Sequence, residues 1–201
     1  NLERAHIEDW NTENAKSMCC TFAYCASLKK LDLHKWDVSN VTIMSGMFCT
    51  GDNYVGNGEL ETLDIHSWNT SSLTKADSMF YGCGKLKALD VENWNMSKVV
   101  TVNHMFADCF SLESLDVSKW DMNHCKDFDA IFNDCHSLQV INVSKWDFSS
   151  AERMSQMFER CTSVHSIHVR IDTVQKCNDF EELTNGTNLK GDLLSHELIN
   201  R

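Results

Sequence analysis

The sequence KLKALDVENWNMSKVVTVNHMFADCF, which occupies residues 85–110, contains a pattern that recurs through most of the chain. Its tryptophan is repeated in the series Trp10, Trp36, Trp68, Trp94, Trp120 and Trp146. Its first phenylalanine is repeated in the series Phe22, Phe48, Phe80, Phe106, Phe132 and Phe158. Both series advance by 26 residues, apart from one step of 32. A fixed period of this length is typical of a solenoid, in which each repeat is one coil stacked on its neighbours.

The period divides the chain into one solenoid domain. The predicted coils span residues 1–26, 27–58, 59–84, 85–110, 111–136, 137–162 and 163–188, and residues 189–201 are predicted to form a C-terminal cap. The second coil is the longest because it contains a glycine-rich insertion at 51–58. Coil one starts directly on the pattern, so we expect either that the array continues before it or that it is itself a degenerate cap.

Each coil shows two kinds of periodicity. Around Leu31, Asp32 and Leu33, apolar and polar residues alternate as they do in a short strand. Met44 and Met47 belong to an apolar series spaced like one face of a short helix. The sequence therefore predicts an α/β solenoid with one short strand and one short helix per coil, the strands lining the concave side and the helices the convex side.

Two polar columns precede the predicted helix. A serine is placed to cap it in four coils, at Ser39, Ser71, Ser97 and Ser149. Two residues earlier stands an Asp or Asn whose side chain suits a turn, at Asp37, Asn69, Asn95, Asp121 and Asp147.

Composition narrows the class of function. The formal net charge of −11 argues against nucleic acid as a partner, because binding to phosphates needs clustered Lys and Arg. No apolar run approaches the ~20 residues that cross a bilayer. The sequence lacks a phosphate-binding glycine loop and the short motifs of hydrolases and zinc proteases. We therefore predict a protein that is not an enzyme and uses no cofactor.

Half of the ten cysteines form one column, composed of Cys25, Cys83, Cys109, Cys135 and Cys161. No C-x-x-C pair is present, which argues against a structural zinc site. Adjacent coils ~4.8 Å apart would permit disulfides, but free cysteine is among the residue types most often buried. We favour buried, reduced thiols, which are more typical of an intracellular than of an extracellular protein.

Carboxylates also form a column on the predicted strands, at Asp32, Asp64, Asp90 and Asp116. We favour a framework role, in which each Asp bonds to nearby backbone, over binding of a cation or basic ligand. A more specific hypothesis takes Asp32, His34, Asp64 and His66 as a set for a first-row metal, because strand alternation places all four side chains on one patch. Sequence alone favours no metal here.

In a repeat protein, residues that recur in every coil hold the coil together, and outward residues that differ are free to carry recognition. The Trp, Phe and Cys columns are accordingly predicted to be core. The candidate ligand-binding residues on the concave face are Lys30, Asp32, His34, Asp64, His66, Asp90, Glu92, Asp116, His168 and Arg170.

The segments SLESLDVSKWDMN (residues 111–123) and SLQVINVSKWDFSS (137–150), with the MF-x-x-C endings, carry a family resemblance. They resemble the 26-residue repeat of bacterial surface proteins, associated with mycoplasma lipoproteins and allied to BspA-like leucine-rich repeats. The resemblance implies a right-handed, leucine-rich-repeat-like coil stack and a surface-exposed protein that binds host or neighbouring-cell components.

We therefore expect a binding module that takes a protein or glycan partner on its concave face, with no nucleic acid and no membrane span in this segment. One alternative is a structural spacer in a surface, fibre or virion assembly, as part of a longer chain. The other is an intracellular interaction protein, which the reduced cysteines favour. The resemblance predicts a cell-surface or secreted location.

Overall fold

In the computed structural model, the described residues are 3, 5–50 and 58–169. Four strands of three residues each are present: β1 (Lys30–Asp32), β2 (Thr62–Asp64), β3 (Val140–Asn142) and β4 (Ser166–His168). β1 pairs with β2, and β3 pairs with β4, both in parallel and in register. Most of the predicted insertion, Arg170, the rest of coil seven and the predicted cap lie outside the described residues.

A second line of parallel pairing runs through six repeats. It consists of single bridges that join Ser17, Ile43, Lys75, Thr101, Asp127 and Arg153, each to the next. Backbone bonds flank these bridges: the N–H of Met44, for example, donates to the carbonyl of Lys75 at 2.9 Å. Equivalent residues of successive repeats are thus neighbours in space, because each repeat is hydrogen-bonded to the one before and the one after.

The predicted helices are wrong, since the described residues contain no helix. Around Met44 and Met47, successive backbone N–H groups donate alternately to a carbonyl of their own repeat and to a carbonyl of the next repeat. The N–H of Met47 donates within its own repeat to the carbonyl of Met44 at 3.1 Å, whereas that of Phe48 donates to Met79 of the next repeat at 2.9 Å. In an α-helix each N–H donates to the carbonyl four residues earlier. The alternating pattern is therefore incompatible with an α-helix.

Consecutive four-residue turns take the place of each helix. In the turn from Met44 to Met47 the third residue, Gly46, has a φ of 62°, as a type II turn requires. Positive φ recurs at the equivalent Cys20, Ser78, His104, Ala130 and Gln156, and at a second series formed by Tyr24, Gly82, Asp108, Asp134 and Arg160. Such turns also bring residues three and four apart to one side, which explains why the apolar spacing imitated a helix.

The prediction of one strand per coil is wrong as well. Coils 85–110 and 111–136 meet at the strand position through a single bridge, Ala88 to Ser114. The chain bends directly afterwards because the side chain of Asp116 accepts the N–H of Ser118 at 2.9 Å. With two two-stranded sheets and no helix among the described residues, the α/β, leucine-rich-repeat-like solenoid is overturned.

The serine column caps no helix, because the described residues contain none. Instead, the N–H of Ser39 donates to the carboxylate of Asp37 at 2.9 Å. The equivalent bond is present at Asn69, Asn95, Asp121 and Asp147, so the predicted side-chain-stabilised turns are confirmed.

Two aromatic ladders fill the core. The phenylalanine rings from Phe22 to Phe158 stack with centroids 5.4–5.8 Å apart. Trp94, Trp120 and Trp146 stack at 6.1–6.3 Å and are at most 4% exposed. Trp10 differs, since it stacks on Trp36 but is 61% exposed.

The insertion lengthens one interval of the Trp and Phe series from 26 to 32 residues. The backbone hydrogen bonds between repeats are nevertheless intact on both sides of it. The N–H of Thr50 donates to the carbonyl of Tyr81 at 3.0 Å, and that of Glu59 donates to the carbonyl of Ala26 at 3.1 Å. The residues before and after the extra segment are therefore both bonded to a neighbouring repeat.

Candidate ligand-binding face

The outward side chains of the strand positions form one surface, which we call the strand face. Its exposed members are Lys30, Asp32, Thr62, Asp64, Ala88, Asp90, Ser114, Asp116 and Val140. Their intervening neighbours, such as Leu31 and Ile141, are buried in the core. The alternation of a strand thus places the polar residues of successive repeats side by side.

Two grooves follow this face. The first, of about 590 Å³, is lined by residues of the first four repeats, among them Lys30, Asp64 and His66. The second, of about 760 Å³, is lined by residues of later repeats, among them Glu92. Asp90 lines both grooves, which therefore adjoin along the strand face.

Three of the four aspartates of the strand face hold local turns. The carboxylate of Asp32 accepts the backbone N–H of His34 at 3.2 Å, as Asp116 does for Ser118. The side-chain hydroxyl of Ser118 and then its backbone N–H lower the pKa of Asp116, and the imidazole of His34 contributes most to lowering the pKa of Asp32. Asp32, Asp64 and Asp116 thus have the framework role favoured from the sequence, and these carboxylates and that of Asp90 also line the grooves.

Repeats two and three form a cluster of acidic and imidazole groups. Nδ1 of His34 lies 2.5 Å from Oδ1 of Asp32, and Nδ1 of His66 lies 2.6 Å from Oδ1 of Asp64. The two imidazole rings stack with centroids 6.2 Å apart. The hydrogen bond to Asp64 and its charge raise the pKa of His66.

The structure brings most of the predicted site residues together. Lys30, Asp32, Asp64, His66 and Asp90 line the first groove, with His34 beside it. In the second groove, the predicted Glu92 and Asp116 lie with Asp90. His168 lies in β4, in register with Asn142 at the end of the second groove. That these residues bind a ligand remains a prediction.

Sequence reasoning missed Glu113 and Gln139, which line the second groove. Both belong to a column one residue before the strand position, which also contains Lys29, Glu61, Lys87 and His165. Its polar character in every one of these repeats was a signal that it faces solvent.

No disulfide joins any of the described cysteines. In the main column the buried thiols donate hydrogen bonds to backbone carbonyls, as Cys135 does to Phe106 at 3.2 Å. Burial is incomplete at four cysteines. Cys25 of the main column and Cys49 are only partly buried, and Cys19 and Cys20 are exposed with their sulfur atoms 3.5 Å apart. The buried thiols face away from the grooves, in agreement with the sequence prediction of core positions.

These features define a repeat protein in which a 26-residue unit pairs with its neighbours through backbone bonds and aromatic ladders. The chain belongs to the family described as Mycoplasma protein of unknown function, DUF285, whose model matches residues 1–61 and 52–170. Neither the curated proteins nor the solved structures include a match to the chain. Within the described part of the chain, no helix has the length and apolar character to span a membrane.

Proposed function

We propose that this chain is a non-enzymatic binding module that takes a protein or glycan partner on its strand face. The observation that carries the proposal is the pair of adjoining grooves joined at Asp90. They are built on a rigid framework, and their outward residues differ from repeat to repeat, as Lys30, Thr62, Ala88 and Val140 do at one equivalent position. A fixed framework with a variable surface suits recognition.

Charge and apolar exposure specify the kind of partner. The second groove is lined by four carboxylates, those of Asp90, Glu92, Glu113 and Asp116, of which Glu92 pairs with Lys119 and Glu113 with Lys87. Val140 lines the same groove and is 43% exposed. Basic groups around a small apolar contact would complement this surface.

We also propose a surface location and kinship with BspA-like surface proteins. The support is the similarity of residues 111–123 and 137–150 to the repeats of such proteins. The buried free thiols favour the second candidate, an intracellular interaction protein, because reduced cysteines persist in the cytosol.

An array of glycans and of lysine- and arginine-rich peptides, probed with the purified chain, tests the binding function. We expect the double variant Glu92→Ala/Val140→Ser to bind an array ligand at least fivefold more weakly, the usual minimum effect of removing an interface anchor. Lys98→Ala is the matched control, since Lys98 is exposed and lines neither groove. Equal binding by both variants would exclude the second groove, and a chain that binds nothing on the array would favour the spacer.

A further inference from the structure

We infer that Asp32, His34, Asp64 and His66 form a binding site for one divalent transition-metal ion, with Zn²⁺ as the best fit. Ligand atoms of Asp32, His34 and Asp64 lie within 4.8 Å of one another. In a tetrahedral zinc site, ligand atoms lie about 3.3 Å apart, given metal–ligand distances of about 2.0–2.1 Å. Rotation of these side chains, which are at least partly exposed, covers the difference. The ion site does not depend on the proposed macromolecular partner.

The backbone brings the four residues together. Asp32 and Asp64 are direct partners in the parallel pairing of β1 with β2. Each is followed two residues later by a histidine, and the rings of His34 and His66 stack at an angle of 12°. Two Asp–His pairs therefore lie side by side at positions fixed by main-chain hydrogen bonds.

Each imidazole is already oriented by a carboxylate. The distances from Nδ1 to Oδ1 are 2.5 Å for His34 and 2.6 Å for His66. In each pair the ring nitrogen and the carboxylate oxygen face each other across a shared proton, and an ion bound between them would take the place of that proton. Each Asp–His pair thus offers one nitrogen and one oxygen ligand to the same ion.

The histidines are not needed by the fold. The turn at this position requires only the aspartate side chain, as Asp116 shows with Ser118. At the position of the two histidines the later repeats carry Glu92, Ser118 and Ser144. The fold therefore explains the aspartates but leaves the paired histidines unexplained, and a metal ion accounts for them.

The ligand types select the class of metal. Imidazole nitrogen suits Zn²⁺ and its neighbours in the first transition row, whereas Ca²⁺ and Mg²⁺ prefer sites made entirely of oxygen ligands. Calcium at the same concentration serves as the comparison ion.

The test is calorimetric titration of the purified chain with ZnCl₂ after chelator treatment. We expect one equivalent to bind, and His34→Ala and His66→Ala each to weaken the affinity at least tenfold. His124→Ala is the matched control, because His124 is exposed in another repeat, and it should bind like the wild type. The variants replace histidines rather than aspartates, so the turns stay intact, and unchanged melting temperatures without zinc verify the fold.

Exposed thiols are the competing zinc ligands. A Cys19→Ser/Cys20→Ser variant, titrated in parallel, should keep the affinity of the wild type. The inference is overturned if no zinc binds at a tenfold excess over the chain, if the His34→Ala/His66→Ala double variant binds like the wild type, if the cysteine variant loses binding, or if calcium binds as tightly as zinc.

Discussion

The thiol of Cys109 donates a hydrogen bond to the backbone carbonyl of Phe80 in the preceding repeat, with sulfur and oxygen 3.3 Å apart. Three equivalent bonds link Cys83 to Phe48, Cys135 to Phe106 and Cys161 to Phe132. Each bond requires a protonated thiol. Burial raises the pKa of Cys83 and of Cys161 to about 12, so both thiols remain protonated at neutral pH.

We predict that alkylation separates the cysteines into two groups. Cys19 and Cys20 are exposed and should react with iodoacetamide in the native protein, whereas Cys83, Cys109 and Cys135 should react only after denaturation. The thiolate is the reactive form, and burial suppresses both its access and its formation. Peptide mapping by mass spectrometry measures the modification at each site. Labelling of native Cys109 as fast as Cys19 would contradict this assignment.

Matched tryptophan substitutions should differ in their effect on stability. Trp120 donates from Nε1 to the carbonyl of Val91 at 2.9 Å. Among the described residues, Trp94 Nε1 is the buried side-chain polar atom without a hydrogen-bond partner. Both substitutions to Phe shrink a ring in the same ladder, but only one removes a hydrogen bond. We expect Trp120→Phe to lower the free energy of unfolding by about 1 kcal/mol more than Trp94→Phe in urea titrations. Equal losses would show that the bond contributes nothing.

The turns with positive φ predict a stabilising change to glycine. Gln156 is exposed and has a φ of 58°. A non-glycine residue in this region costs roughly 1–2 kcal/mol, and the added freedom of glycine in the unfolded chain costs roughly 0.5–1 kcal/mol. Gln156→Gly should therefore raise the free energy of unfolding by about 0.5–1 kcal/mol, measured by urea titration.

Gly46→Ala should have the opposite effect. Its φ is 62°, and the added Cβ would lie 3.2 Å from Sγ of Cys20. Gln156→Ala is the control for both changes, because it keeps a Cβ at positive φ, and it should be close to neutral. A Gln156→Gly variant less stable than Gln156→Ala would argue against strain in these turns.

Asp108 should make stability depend on pH. Burial raises the pKa of this carboxyl group, and the nearby charge of Asp134 adds to the shift. An acid with a higher pKa in the folded than in the unfolded state stabilises the fold below its unfolded pKa of about 3.9, and that contribution is lost as the pH rises through the folded pKa. Asp108→Asn should therefore raise the free energy of unfolding at pH 7 and have no effect below about pH 4.

Asparagine is suited to this position because it tolerates the φ of 60° at residue 108. Urea titrations between pH 3.5 and 8 measure the difference from the wild type. Asp121→Asn, at an exposed turn where Asn95 stands in another repeat, is the control for replacing an exposed carboxylate by an amide. A gain from Asp108→Asn that persists at pH 3.5 would rule out ionisation as its cause.

The sequence period determined which residues become neighbours, but not the backbone conformation between them. The columns of Trp36, Phe48 and Cys83 could be aligned by counting, since stacking preserves the register. The helix could not be distinguished from successive turns by apolar spacing alone, because both bring residues three and four apart to one side. Residue types offered a further signal: Gly46 and Gly82 stand at the turn positions, where positive φ is required.

The candidate site was likewise predictable only in part: the sequence indicated which residues are neighbours, but not the shape that they form. The pairing of Asp32 with Asp64 followed from the repeat, as did the approach of His34 to His66. The grooves did not, because their shape depends on neighbouring side chains such as Glu113 whose position the alternation of a strand leaves undetermined.

Thr50 and Glu59 remain hydrogen-bonded to adjacent repeats although the chain between them is six residues longer than in the other steps. Since both anchor points are held, the length of the segment between them is not coupled to the rest of the molecule. Sequence can therefore be gained, lost or exchanged at this junction without a change in register elsewhere. The junction gives evolution, or a protein engineer, a place to insert an epitope or a reporter between two anchored residues.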